Sequence, residues 1–110
     1  MAYRVELTNS AKAELEDLYL WVVGRAPMQG AAWFNGLERA IRSLEQHPKR
    51  CRIAPESFGP NQSVRVLNYG RRPHIYHVYF TVDEKVQVVS VVHIRRGARQ
   101  SSDPGGLQGV

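Results

Sequence analysis

The stretch that decides the fold is residues 75–94, IYHVYFTVDEKVQVVSVVHI. Its first part, from Ile75 to Val82, is rich in aromatic and β-branched residues, and its second part, from Val86 to Ile94, is rich in valine. The polar residues 83–85 between them are typical of a turn, so the stretch predicts two antiparallel strands. The second strand is apolar on both faces, which predicts a central position in a sheet.

Two helices are predicted in the first half of the chain, where apolar residues recur at helical spacing. The first helix has Thr8 or Asn9 as its N-cap and stops around Gly24. The second begins near Met28 and is ended by Pro48. Because the connection between the helices is short, they are expected to form a helical hairpin.

Two further strands complete the pattern, one from Tyr3 to Leu7 and one around Val64 to Val66. The order β-α-α-β-β-β predicts an α+β fold, with the helical hairpin packed on one face of a small, mainly antiparallel sheet. Residues 1–99 are expected to form a single domain. The composition of residues 100–110 predicts a flexible tail.

The charge of the chain is concentrated in its second half. The net charge of the 110 residues is +5, and the last 64 residues carry ten basic against four acidic residues. A chain of this length has room for one modest core, which excludes a multi-domain enzyme. A positive surface attracts polyanions, so nucleic acid, an acidic protein segment and a membrane surface are the candidate partners.

Cysteine and histidine spacing argues against a metal site. Cys51 is the one cysteine, and its basic neighbours are expected to lower the pKa of its thiol. His74 and His77 point to opposite faces of a strand, so they do not form a metal pair. No nucleotide-binding or hydrolase motif occurs, and no cofactor is expected. The absence of a signal sequence or apolar span predicts a cytoplasmic protein.

Side-chain alternation divides the strand residues between two sheet faces. The core face of the 75–82 strand is predicted to carry Tyr76, Val78, Phe80 and Val82. In the last strand, Gln87, Val89, Val91, His93 and Arg95 are grouped on one face. The face without helices, here named the helix-free face, is then expected to collect Arg65, His77, Tyr79, His93 and Arg95.

A helix-free face of this composition suits a phosphate chain, and histidine, arginine and tyrosine can together supply acid, base and charge stabilisation for RNA cleavage without a metal. The alternative is that these residues are solvated surface groups with no shared role. Trp21 lies off the main apolar stripe of its helix, so it is either a packing residue or a contact with a partner.

Several motifs, in this order, resemble the RelE/ParE superfamily of toxins from bacterial type II toxin–antitoxin systems, and the resemblance spans residues 3–99. They are Tyr3-Arg4-Val5-Glu6-Leu7-Thr8, the helix with Ala11, Leu15, Asp17 and Leu18, the Ala31 to Leu44 helix, the His47-Pro48 to Glu56 loop, Val64-Arg65-x-Leu67-x-Tyr69-Gly70, Tyr76-His77-Val78-Tyr79-Phe80 and Val91 to Arg99. The superfamily implies the same strand and helix order. It also implies one of two activities, because RelE-like members cleave messenger RNA on the ribosome without a metal and ParE-like members inhibit DNA gyrase.

The resemblance favours the ParE-like branch. The cleaving branch generally uses a lysine-rich cluster and a tyrosine or histidine near the C-terminus, whereas lysine occurs here only at positions 12, 49 and 85. The expected function is therefore a plasmid-stabilisation toxin that inhibits DNA gyrase and is neutralised by a cognate antitoxin. The alternative is a metal-independent messenger RNA endonuclease that uses Arg65 and Arg95 or Arg96, with Tyr79 or His93 as acid and base. A third possibility is an intact fold without toxicity.

The residues expected to contact the target or the antitoxin come mainly from the second half of the chain. They are Arg65, Arg71, Arg72, His77, Tyr79, His93, Arg95, Arg96, Arg99 and Trp21. The expected partners are the antitoxin and gyrase, or the ribosome and messenger RNA in the alternative, with no membrane partner. The antitoxin is expected to wrap a flexible acidic segment around the helical hairpin and the sheet.

Overall fold

A computed structural model describes residues 2–55, 63–71 and 74–97. Four strands form one sheet: β1 (Arg4–Leu7), β2 (Arg65–Arg71), β3 (His74–Asp83) and β4 (Val88–Arg96). Their order across the sheet is β1-β4-β3-β2, with β1 parallel to β4 and the other two pairs antiparallel. The predicted central position of the last strand is confirmed.

Two helices lie between β1 and β2 in the chain. Helix α1 (Asn9–Arg25) begins after Thr8, whose hydroxyl accepts a hydrogen bond from the backbone N–H of Ala11 at 3.1 Å. Helix α2 (Pro27–Arg42) has its proline in the first turn, where no backbone N–H is needed. Two short 3-10 turns, Ser43–Glu45 and Pro48–Arg50, follow α2.

The main core lies between the two helices and one face of the sheet. Its most deeply buried members include Leu37 and Leu44 on the helical side and Val78, Phe80 and Val89 on the sheet, each 0 % exposed. The predicted core face of β3 is confirmed by Tyr76, Val78 and Phe80, all of which are buried. The α+β fold with a helical hairpin on one face of a mainly antiparallel sheet is confirmed.

A β-bulge interrupts the pairing of β3 with β4. Tyr79 pairs with His93 and Phe80 pairs with Val91, so Val92 is one extra residue in β4. An extra residue reverses the side-chain alternation along a strand. The two ends of β4 therefore follow opposite alternations.

The bulge overturns the grouping of the β4 residues on one face. Val89 and Val91 belong to the main core beneath the helices, whereas His93 and Arg95 pair with Tyr79 and His77 on the helix-free face. Ile94 returns to the main core. The prediction from strict side-chain alternation is wrong for β4, because a regular alternation of residues in the sequence does not reveal where a bulge occurs.

A second, smaller core lies on the helix-free face and changes the position of Arg65. Val64 and Val66 pack there with Ala54 and Tyr79. Arg65, between the two valines, pairs with Phe80 and so faces the side of the sheet that carries the helices. The prediction that Arg65 lies on the helix-free face is wrong, because Val64 and Val66 fill this second core rather than the main one.

The predicted tail at residues 100–110 lies outside the described residues, as do Arg72 and Arg99. None of the described helices is both long enough and apolar enough to cross a membrane.

Candidate functional site

Basic side chains collect at one end of the sheet, where β2 and β4 finish and β3 begins. The register pairs Arg71 with His74 and His77 with Arg95, and Arg96 is the last residue of β4. These five residues, Arg71, His74, His77, Arg95 and Arg96, are named the basic end. Four of them are contact residues predicted from the sequence. Strand pairing brings all five to the same end of the sheet, with Arg71, His74 and Arg96 on the helix side and His77 and Arg95 on the helix-free face.

On the helix-free face, the basic end holds a positioned histidine. The Nδ1 atom of His77 lies 2.6 Å from Oδ1 of Asn68, its partner across β2 and β3. Because a carbonyl oxygen only accepts hydrogen bonds, this geometry makes Nδ1 the donor. Arg95 lies opposite His77 on β4 and is exposed. Asn68 was not predicted as a site residue, since its role depends on strand register.

Gly97 packs directly against the ring of His77. A Cβ atom built at Gly97 would lie 2.2 Å from Nε2 of His77, and the Gly97 N–H donates to Ile75 O at 2.8 Å. A side chain at position 97 would therefore displace the His77 ring from this position. Gly97 and Asn68 therefore hold the imidazole of His77 from two sides.

Tyr79 does not form part of an accessible surface. Its side chain is 1 % exposed and packs in the second core with Val64 and Val66. Its ring centre lies 5.8 Å from that of His77. Tyr79 therefore packs inside the second core of the helix-free face. The expectation that it contacts a target directly does not fit its burial.

His93 interacts with a carboxylate of α1. Its Nδ1 atom lies 3.4 Å from Oε2 of Glu14, and the other oxygen of Glu14 accepts a hydrogen bond from the backbone N–H of Ile94 at 2.9 Å. Both side chains are about one third exposed or less. Nothing in the helical pattern separates Glu14 from the neighbouring acidic residues, so its role could not be predicted from the sequence.

On the helix side of the sheet, two guanidinium groups lie over the ring of Trp21. The Cζ atom of Arg96 lies 4.4 Å from the centre of the Trp21 ring, and that of Arg25 lies 4.7 Å from it. These distances are typical of cation–π contacts. Trp21 is 42 % exposed despite them. This exposure agrees with its predicted position off the apolar stripe. The contact with Arg25 was not predicted from the sequence.

An aromatic cluster lies beside the basic end, between α2 and the sheet. The ring of Trp33 contacts those of Tyr69 and Tyr76 edge to face, at centre distances of 5.2 and 4.9 Å. The hydroxyl of Tyr69 donates to Trp33 O at 2.9 Å. A concavity lined by Trp33, Tyr69, Gly70, Arg71 and His74 opens above this cluster.

Arg65 lies at the other end of β2 and has a structural role. Its Nη1 atom donates to Cys51 O at 2.6 Å and to Lys49 O at 3.2 Å. These bonds attach the Pro48–Arg50 turn and Cys51, which follows it, to the sheet. The basic end and Arg65 therefore do not form one site.

A cluster of charged and phenolic groups lies near Arg65. Tyr3 donates to Glu84 Oε1 at 2.9 Å, and Lys49 Nζ lies 2.5 Å from Glu84 Oε2. Hydrogen bonds from Lys49 and Tyr3 lower the pKa of Glu84. The hydrogen bond to Glu84 raises the pKa of Tyr3. This cluster connects Tyr3, the residue before β1, with the β3–β4 turn and the Pro48–Arg50 turn.

Cys51 belongs to the main core. Burial raises the pKa of its thiol, and this outweighs the opposing effect of Arg50 and Arg65. The expectation of a lowered thiol pKa is wrong, because the side chain of Cys51 points inward from its basic segment. Within the described ranges, no group of three histidine, cysteine or acidic residues is placed to hold a metal ion.

Comparisons with known proteins agree with the fold. The family model described as "ParE toxin of type II toxin-antitoxin system, parDE" matches residues 5–101. No curated protein matches the sequence.

Solved toxin structures share the architecture. A chain of the chromosomal ParDE system from P. aeruginosa has a TM-score of 0.66 and 22% identity, covering 86% of this chain and 96% of that chain. A chain of the RelBE2 toxin–antitoxin complex from Mycobacterium tuberculosis has a TM-score of 0.56 and 20% identity, covering 89% and 94%. A mutant of the E. coli toxin RelE in the free state has a TM-score of 0.59 and 17% identity, covering 91% and 88%. At these identities the structural likeness shows the fold.

Proposed function

Since this chain belongs to the ParE toxin family of type II toxin–antitoxin systems, we propose that it arrests growth by binding DNA gyrase and that a cognate antitoxin neutralises it. The observation that carries this proposal is the basic end. The side chains of Arg71, His74 and Arg95 are exposed there, and strand pairing fixes the backbone that carries them. A rigid, positively charged surface favours association with an acidic surface of a partner.

The positions of the candidate catalytic residues support binding rather than RNA cleavage. Acid–base catalysis needs groups within hydrogen-bond reach of one substrate position. Arg65 faces the helix side and bonds to backbone carbonyls, Tyr79 is buried, and His93 contacts Glu14. Arg96 lies on Trp21, on the opposite face from Arg95. This distribution favours the gyrase inhibitor over the messenger RNA endonuclease.

Supercoiling assays test the target. The wild-type protein should inhibit gyrase supercoiling and leave ribosome-bound messenger RNA intact. The double variant Arg71→Ala/Arg95→Ala should inhibit much more weakly, because it removes two exposed cations of the basic end. Arg39→Ala/Arg42→Ala, on the exposed side of α2, removes the same charge and should inhibit like wild type. Codon-specific cleavage of ribosome-bound messenger RNA with supercoiling unaffected would make the endonuclease the correct function.

For the antitoxin, we propose a flexible acidic segment that wraps around the helical hairpin and the basic end, covering Trp21. Leu20 on α1 is 64 % exposed and Met28 on α2 is 84 % exposed, so the hairpin offers apolar surface beside cationic groups. Such a complex forms in the cytoplasm, where gyrase acts, and suits a plasmid-stabilisation system. The toxin and antitoxin then form a hetero-oligomer.

Binding kinetics test the wrapping model. Between about 50 and about 500 mM salt, the association rate should fall while much of the affinity persists, because charge accelerates the encounter and apolar burial holds the complex. The partner segment should be disordered when free. An association rate that does not respond to salt, or a partner fully folded when free, would contradict the model.

A further inference from the structure

We propose that the concavity between α2 and the β2–β3 pair binds one nucleotide, with the base against Trp33 and Tyr69 and the phosphate against Arg71 and His74. The proposal goes beyond gyrase inhibition and does not depend on it. Its ligand is either a free mononucleotide or one unit of a single-stranded nucleic acid, since both present the same base and phosphate.

The aromatic part of this nucleotide pocket is held rigidly. Trp33 contacts Tyr69 and Tyr76 edge to face, and the Tyr69 hydroxyl bonds to Trp33 O. Gly36 makes room for that hydroxyl, because a Cβ atom there would lie 2.2 Å from it. A fixed aromatic surface is the platform on which proteins stack the bases of single strands.

The phosphate-binding part lies at the mouth of the same pocket. Arg71 and His74 are directly opposite each other across β2 and β3, and both are exposed. None of the ion pairs between described residues involves either of them. The planar guanidinium of Arg71 can donate two hydrogen bonds to a phosphate, and the imidazole of His74 can donate a further one.

The backbone of β2 is shaped to form this mouth. Gly70 has φ +105°, and a Cβ atom there would lie 2.4 Å from His74 O. Glycine therefore lets β2 approach β3 closely between Tyr69, in the pocket floor, and Arg71, at its rim. Gly70 thus lies between a residue of the aromatic floor and one of the rim.

Within this pocket, the chemistry favours a nucleotide over a lone carboxylate side chain. A carboxylate side chain would satisfy Arg71 and His74 but leave the aromatic floor unused. A base and its phosphate satisfy both parts at once, which is how single-stranded nucleic acids are bound without sequence readout. The net charge of +5 adds attraction for any nucleic-acid strand.

Tryptophan fluorescence of the full chain tests the proposal. Trp21→Phe leaves Trp33 as the sole tryptophan, and the indole N–H resonance of Trp33 in the wild-type protein gives an independent reading. The probes, at constant salt, are a thymidine strand of about ten nucleotides, dTMP, inorganic phosphate and poly-glutamate. The strand should change the Trp33 signal saturably. A similar change with dTMP assigns the site to free nucleotides, and a change with the strand alone assigns it to single strands.

Two variants distinguish binding in the pocket from general electrostatic attraction to the positively charged protein. Arg71→Ala should weaken binding of the strand about fivefold or more. Arg39→Ala removes the same charge from an exposed position on α2 and should change binding much less. Equal weakening by both variants, an unchanged Trp33 signal, inorganic phosphate binding as tightly as dTMP, or poly-glutamate shifting Trp33 at lower concentration than the strand would each overturn the proposal.

Discussion

The carboxylate of Glu14 in α1 accepts a hydrogen bond at 2.9 Å from the backbone N–H of Ile94 in β4. Strand β1 pairs with β4 only as far as Leu7 opposite Val91, so β4 continues beyond the end of its parallel neighbour. The N–H of Thr8 donates to Val91 O, and further along the edge of β4 Glu14 accepts from the N–H of Ile94. A helix side chain thus replaces the missing strand and protects an exposed sheet edge.

Removing this carboxylate should expose the edge. Glu14→Ala leaves the N–H of Ile94, a residue only 6 % exposed, without its acceptor. We expect a loss of about 1–3 kcal/mol in the free energy of unfolding. Amide hydrogen exchange at Ile94 should accelerate, whereas Glu14→Gln, which keeps a carbonyl oxygen, should stay closer to wild type. Unchanged exchange at Ile94 in Glu14→Ala would show that the bond does not protect the edge.

Arg65→Ala should destabilise the protein. The guanidinium of Arg65 donates to the backbone carbonyls of Cys51 and Lys49, and hydrogen bonds from charged groups contribute about 1.5–3 kcal/mol. Chemical denaturation should show a lower free energy of unfolding than for Arg39→Ala, an exposed control on α2. A stable Arg65→Ala protein that has lost toxicity would instead make Arg65 a contact residue.

Gly97→Ala should disturb His77 without unfolding the protein. The new methyl group would overlap Nε2 of His77, so the ring must turn and its hydrogen bond to Asn68 is lost. The expected cost is about 1 kcal/mol, visible as shifted ring resonances of His77. Gly24→Ala meets no atom within 4 Å and lies in α1, so it should stabilise the helix by about 0.5–1 kcal/mol. Unmoved His77 resonances in Gly97→Ala would show that Gly97 does not pack against the His77 ring.

The cluster around Glu84 should make stability depend on pH in two ranges. Because the pKa of Glu84 is lowered in the folded protein, its contribution is present above about pH 4 and is lost as the pH falls through the lowered pKa. Because the pKa of Tyr3 is raised, its contribution is present below about pH 10 and is lost as the pH rises through the raised pKa.

Thermal unfolding of variants measures both contributions. The difference in Tm between wild type and Glu84→Gln should shrink as the solution is made acidic. The difference between wild type and Tyr3→Phe should shrink as it is made strongly alkaline. A Glu84→Gln difference that grows in acid would mean that the carboxylate does not stabilise the folded state.

Local patterns were sufficient for the architecture. The helical spacing that begins after Thr8, the alternation from Tyr76 to Phe80 and the two apolar faces of β4 each depend on residues close in sequence, and each prediction is confirmed. Hydrophobic periodicity reports which side of an element is buried, and this is a property of the element itself. The motif order was also sufficient to indicate the family.

The candidate site depends on relationships between distant segments. The bulge at Val92 and the second core around Val66 decide which face each β4 and β2 side chain occupies. Strand pairing places Arg65 at the opposite end of β2 from the basic end. Glu14 meets Ile94, and Trp21 meets Arg96, only after α1 has packed along β4. Strand register and packing arise from contacts far apart in sequence, so no local period could reveal them.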